Sequence, residues 1–160
     1  EQTAKLLRAA KRRLFIDIPG NGIMLAIPLK SVGGGKTLAV LTGGAAPDTS
    51  AAPGKFEHEL ITVIANEGHT DEVMDAARSA GAAGGTVLHA KGTGAQRAEK
   101  FLGVSLADEK ELIIIVSRAS EKAAIMKAIA SQAGPGTRAG AVCFSLPITA
   151  VAGLRMLEDE

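Results

Sequence analysis

Glu111-Leu112-Ile113-Ile114-Ile115-Val116-Ser117 decides how the rest of this chain is read. A half-exposed antiparallel strand alternates apolar and polar residues, and Leu112 to Val116 does not alternate at all. This reads as a strand that needs cover on both faces. Working upstream, Thr86 to Lys91 reads as another strand, separated from Glu111 by a loop region from Gly92 to Asp108. Before it, His58 to Ala65 carries Leu60-Ile61-Thr62-Val63-Ile64, nearly as continuous as the first run. Between these two, Thr70 is expected to cap a helix with Asp71 and Glu72 in its first turn, where acids favour the helix dipole. Val73, Ala76, Ala77 and Ala80 recur at helical spacing, and Gly81 supplies the stop.

Downstream of Ser117 the pattern repeats. Ser120 is expected to cap a helix with Ile125, Ala128 and Ile129 on one face, ended by Gly134-Pro135-Gly136. A last strand runs from about Gly140 to Leu146 and is closed by Pro147. The order is βαββαβ, an α+β chain of the ferredoxin-like, split-βαβ kind with both helices on one face of an antiparallel sheet. Helices on one face leave the other face of the sheet bare, and a symmetric oligomer is the economical cover.

The residues ahead of this domain echo its end. With Pro28 set on Pro147, an offset of 119, Ile23-Met24-Leu25-Ala26-Ile27-Pro28-Leu29 falls on Val142-Cys143-Phe144-Ser145-Leu146-Pro147-Ile148. The same offset puts Val32 on Val151, Gly34 on Gly153, and Ala4 to Ala10 on Ala123 to Ile129. This reads as a tandem duplication in which only the second helix and last strand of the first copy are present. A helix and a strand alone cannot bury a core. Either the first half of that copy lies outside this sequence or another chain completes it. The expected organisation is a partial copy over 1–41, a breaker-rich linker over 42–55, and a complete domain over 56–157.

Composition narrows the function classes. The 160 residues contain no Trp, no Tyr and four Phe, so the core must be aliphatic and no aromatic platform exists for stacking nucleic-acid bases. Eighteen basic and seventeen acidic residues give a formal net charge of +1, which suggests no polyanionic partner. The single cysteine, Cys143, rules out an internal disulfide and a Cys-rich zinc site, and its apolar neighbours read as core. No apolar run approaches the ~20 residues a spanning helix needs, and the polar, helical N-terminus is unlike a signal peptide. The expected location is the cytoplasm, with a membrane partner left open.

Rival signals are weaker. Gly33-Gly34-Gly35-Lys36-Thr37 invites a P-loop reading, but Lys30 stands where that pattern needs a glycine, and no helical pattern follows. His58, His69 and His89 are not at metal-ligand spacing. Lys11-Arg12-Arg13 complements a helix C-terminus, and Asp71, Glu72 and Asp75 read as exposed helix surface. No nucleophile–base pair stands out, so no catalytic role is expected.

Gly84-Gly85-Thr86-Val87 followed by Gly92-Thr93-Gly94 resembles the second strand and T-loop start of the PII nitrogen-regulatory proteins. Ala98-Glu99-Lys100-Phe101-Leu102-Gly103-Val104, Glu109 to Ile114, and Phe144-Ser145-Leu146-Pro147 with Val151 and Gly153 resemble a divergent, short-T-loop subgroup. The resemblance implies a homotrimer that binds a small-molecule effector, ATP or ADP, in clefts between subunits. It also implies regulation of a protein target by T-loop conformation, in nitrogen metabolism. On the family pattern Gly85 and Thr86 would border the adenine, Gly92 and Gly94 would begin the T-loop, and Gly140 would lie in the phosphate-side B-loop. The family's Gly-Asp-Gly-Lys stands here as Arg138-Ala139-Gly140-Ala141, so Arg138 is the candidate substitute for the missing lysine. The arginine pair after the last strand is replaced by Ile148-Thr149-Ala150-Val151, and without tyrosine the family's uridylylation switch cannot operate. The alternative is a CutA-like trimeric metal-handling protein, or an enzyme, on the same scaffold.

Overall fold

The structure, a computed structural model, describes residues 2–18, 20–29, 43–44, 56–92, 100–101, 104–105 and 108–154. Two compact units divide the chain, one of residues 1–56 with 148–154, the other centred on residues 57–147.

The larger unit is built on strands β2 (His58–Asn66), β3 (Thr86–Gly92), β6 (Asp108–Arg118) and β7 (Val142–Ile148), in the sheet order β3-β6-β2-β7. Helix α2 (Thr70–Ser79) follows β2, and α3 (Lys122–Gln132) follows β6. Strand β6 lies between β3 and β2, antiparallel to both, so the two longest apolar runs pair directly from His58↔Arg118 to Asn66↔Lys110. This is the ferredoxin-like α+β arrangement that the run Leu112 to Val116 implies.

The register separates the two faces of the sheet. Ile61, Val63 and Ala65 of β2 stand beside Ile115, Ile113 and Glu111 of β6, and the apolar members join Val73, Met74 and Ala77 of α2 and Ile125 and Ile129 of α3 in one core. Both helices therefore cover that face. On the opposite face Leu60 and Thr62 are buried and Leu112, Ile114 and Val116 half-buried, while Ile64, Leu88 and Phe144 are exposed. Alternate residues of an unalternating strand thus meet two different environments.

Several local expectations need correcting. The cap of α2 is His69 rather than Thr70, and that of α3 is Glu121 rather than Ser120; neither side chain accepts a capping hydrogen bond from the first turn of its helix. Thr70 instead donates its hydroxyl to Glu111 Oε2 at 2.7 Å, a stronger partner for it than a neutral backbone group. Pro147 does not close the last strand but lies inside β7, which is tolerable because β7 is an edge strand with one side free of ladder bonds. The region read as a loop from Gly92 to Asp108 contains an antiparallel pair, β4 (Lys100–Phe101) and β5 (Val104–Ser105).

The smaller unit holds α1 (Gln2–Arg13), β1 (Met24–Ala26) and β8 (Ala150–Ala152). Lys11, Arg12 and Arg13 occupy the last turn of α1, where cations oppose the helix dipole. β1 and β8 pair antiparallel from Met24↔Ala152 to Ala26↔Ala150, and Thr149 adds an N–H bond to the Ala26 carbonyl at 2.8 Å. Its core is small: Ala10, Ile16 and Ala152, with Leu7 and Met24 packed against them. The last strand of the chain therefore belongs with the residues ahead of the linker, a partition that sequence spacing did not suggest. Of the expected linker over 42–55, only Gly43 and Gly44 are among the described residues, and the Gly33–Thr37 stretch is outside them.

Candidate anion site at the end of the sheet

Strand β2 ends at Asn66 because Glu67 and Gly68 turn the chain toward α2. The register sets Asn66 opposite Lys110 on the sheet face away from the helices. The Asn66 side chain then uses both ends of its amide. Its Nδ2 donates to the Arg138 carbonyl at 2.8 Å, and its Oδ1 accepts from Lys110 Nζ at 2.5 Å. The Asn66 backbone N–H donates to the Ala139 carbonyl at 2.9 Å. One residue thus fastens the turn Arg138-Ala139-Gly140 to the sheet and holds a lysine ammonium near it.

Gly140 has φ +56°, the left-handed region, and a Cβ there would sit 3.1 Å from Asn66 Nδ2. Both the backbone conformation and the close approach of the amide favour glycine. Ala139 is fully buried while the Arg138 side chain is exposed, so the turn is anchored at its centre and presents a cation at its surface. The Lys110 ammonium held by Asn66, at a turn that carries the exposed Arg138, makes this sheet end a candidate for holding an anion.

The residues singled out from sequence are distributed unevenly. Arg138 and Gly140 lie in this turn, leading into β7 at one edge of the sheet. Gly85 and Thr86 open β3 at the other edge, three strand spacings or ~14 Å away across the sheet and a further four residues along it. Within one chain the two groups do not meet. Gly85 has its own packing reason: a Cβ would lie 3.0 Å from Met74 Sδ and 3.3 Å from Ile113 Cγ2 and the Ile114 carbonyl. Thr86 is exposed and pairs with Ile114, and Gly92 ends β3 opposite Asp108. Gly94 is outside the described residues.

Asn66 and Lys110 escaped the sequence reading. Each stands at the end of an apolar run where polar residues are routine, and only the β2–β6 register brings them to Arg138.

A second polar group lies at the start of α2. Glu111 is buried on the helix side of β6 and accepts from Thr70. The Thr70 hydroxyl bond, with backbone N–H groups of Gly68 and Thr70 and the nearby His89, holds its carboxyl below the ordinary value against the opposing effect of burial. His69 Nδ1 lies 3.0 Å from Glu72 Oε1. This group fastens the helix to the sheet. Among the described residues no cluster of three or more His, Cys, Asp or Glu is placed to hold a metal ion. Cys143 packs against the core, and burial pushes its thiol up. No helix among the described residues is long and apolar enough to cross a membrane.

The fold defines a split-βαβ domain with a fastened turn at one end of its sheet. Residues 58–158 match the family described as nitrogen regulatory protein P-II, and the chain belongs to that family. Comparison with curated proteins gives no match. A solved structure, Arabidopsis thaliana PII bound to citrate, is similar with 18% sequence identity, covering 57% of this chain and 75% of that one at a TM-score of 0.44.

Proposed function

We propose that this chain is a PII-like signal-transduction protein that acts in the cytoplasm as a homotrimer. It binds ATP or ADP between subunits and passes the bound state to a protein target in nitrogen metabolism. The Asn66 arrangement carries the reading. Although the turn Arg138-Ala139-Gly140-Ala141 has no lysine, Lys110 is held toward it from β6 by a 2.5 Å bond to Asn66. In this reading Lys110 acts on a phosphate as a point charge and Arg138 as a bidentate fork. Gly85 and Thr86, at the far edge of the sheet, contribute from a neighbouring subunit, and the segment from Gly92 through Gly94 carries the signal outward.

Titration calorimetry with ATP, ADP and AMP tests this. Lys110→Ala and Arg138→Ala should each weaken nucleotide binding by roughly 1.5–3 kcal/mol, the range for a hydrogen bond to a charged group. No heat from any nucleotide on the unmodified protein removes the nucleotide reading.

The trimer rests on the sheet face away from the helices, where Ile64, Leu88 and Phe144 are exposed beside the half-buried Leu112, Ile114 and Val116. A contiguous apolar patch of this kind marks an interaction surface. Light scattering at micromolar concentration should give three chain masses, and Ile114→Asp should reduce this to one while circular dichroism is retained. A clean monomer of the unmodified chain rejects the trimer.

A further inference from the structure

The 119-residue offset seen in the sequence also holds between secondary-structure elements. Shifted by it, α1 falls on residues 121–132, within one residue of α3, and β1 falls on residues 143–145, inside β7. The burial of matched residues differs in a patterned way. Along α3 and its C-cap the stripe Ile125, Ile129 and Ala133 is fully buried. The matching stripe along α1 and the residue after it is Leu6, Ala10 and Leu14. Ala10 is buried at 5%, but Leu6 and Leu14 are 64% and 62% exposed. Leu7 and its counterpart Met126 are both half-buried, and Ala10 and its counterpart Ile129 are both buried, so the two helices turn the same side toward their own neighbours, and the largest differences fall at Leu6 and Leu14.

What covers the stripe of α3 is known. It packs into the core formed by Ile61 and Val63 of β2, Val73 and Ala77 of α2, and Ile113 and Ile115 of β6. The smaller unit has counterparts of α3 and β7 and, among its described residues, none of β2, α2, β3 or β6. An amphipathic helix draws its stability from burying its apolar face, and two leucines at matched core positions left in water forgo that.

We propose that the smaller unit is the closing half of a second ferredoxin-like domain. Its Leu6–Leu14 face receives a β-α-β-β segment of the same polypeptide. Connectivity fixes the source. β6 ends at Arg118 and α3 begins at Lys122, so the counterpart of β6 ends a short turn ahead of α1. The segment runs directly into α1. It supplies alternating aliphatic residues from two strands and a small-residue helix face, as β2, β6 and α2 do for α3. The complete polypeptide then carries two PII-like domains in tandem, and its trimer presents six domain copies.

The test compares the 160-residue chain with the polypeptide read from its own gene with the upstream codons included. Single cysteines are introduced as Leu6→Cys, Leu14→Cys and, as control, Arg8→Cys, in a Cys143→Ser background; maleimide labelling rates are measured. Arg8 matches the exposed Lys127 and should react equally fast in both chains. Positions 6 and 14 should react as fast as the control in the shorter chain and at least tenfold more slowly in the longer one. Hydrogen exchange of the α1 amides in the unsubstituted chains gives the same comparison free of any folding defect from the cysteines. The proposal fails if no such segment is encoded upstream. It also fails if the segment leaves position 6 labelled at the control rate, or if the 160-residue chain already protects positions 6 and 14 and the α1 amides.

Discussion

Helices α1 and α3 carry the same spacing of apolar residues, yet one is a core element and the other lies largely in water. Ile125 and Ile129 meet two strands and a helix, whereas Leu6, at the position matching Ile125, is 64% exposed. An apolar stripe states what a helix is able to bury. The partner decides what it does bury, and the energy of the helix follows the partner.

The sharpest way to break the comparison is to truncate a side chain in each unit. Ile113→Ala removes a fully buried side chain from the centre of the larger unit and should cost about 2–5 kcal/mol of unfolding free energy. Leu6→Ala in the 160-residue chain should change stability by no more than about 0.5 kcal/mol, the usual range for a surface position. Urea denaturation at fixed protein concentration measures both. Equal costs would show that α1 is already packed.

A smaller effect is expected where the smaller unit depends on one residue. Gly153 follows β8 at φ +79°, and a Cβ there would collide with the carbonyl oxygens of Gly22 and Ile16. Gly153→Ala should loosen the β1–β8 pair by about 1–3 kcal/mol, in line with overpacked sites. Hydrogen exchange should register the loss at Met24 to Ala26 and leave the β2–β6 amides unchanged. A loss spread over both units would mean that they unfold together.

The smallest effect concerns the polar fastening of the larger unit. Thr70→Val removes the hydroxyl that donates to Glu111 and should cost about 1 kcal/mol at neutral pH. Because Glu111 titrates below its ordinary value, its ionised form favours the folded state. That contribution is present above the unfolded-state pKa and is lost as pH falls through the folded one. The difference between variant and parent should therefore shrink in acid, as seen in paired urea titrations from neutral pH to pH 3. A difference independent of pH would assign the loss to packing.

The sequence by itself determined the order of the four main strands and two helices of the larger unit, though not the short β4–β5 pair, and the reason is local. Strand periodicity, helix spacing and glycine stops are written within a few residues of where they act. The unalternating run Leu112 to Val116 even told that a second face needed cover. Short-range polar choices were less legible. Thr70 satisfies the composition of a cap as well as that of a carboxylate donor, and only the proximity of Glu111 selects the latter. The site was half visible: Arg138 and Gly140 stood out in a turn, while Asn66 and Lys110 looked like ordinary strand ends. Their pairing depends on a register between residues 44 positions apart, set by packing of Ile61 and Val63 against Ile115 and Ile113. The same holds for β8, whose three residues join β1 across more than a hundred positions. Periodicity fixes which face a residue takes within its own element. Which element comes to lie against that face is settled by long-range burial, and that is decided only in the folded chain.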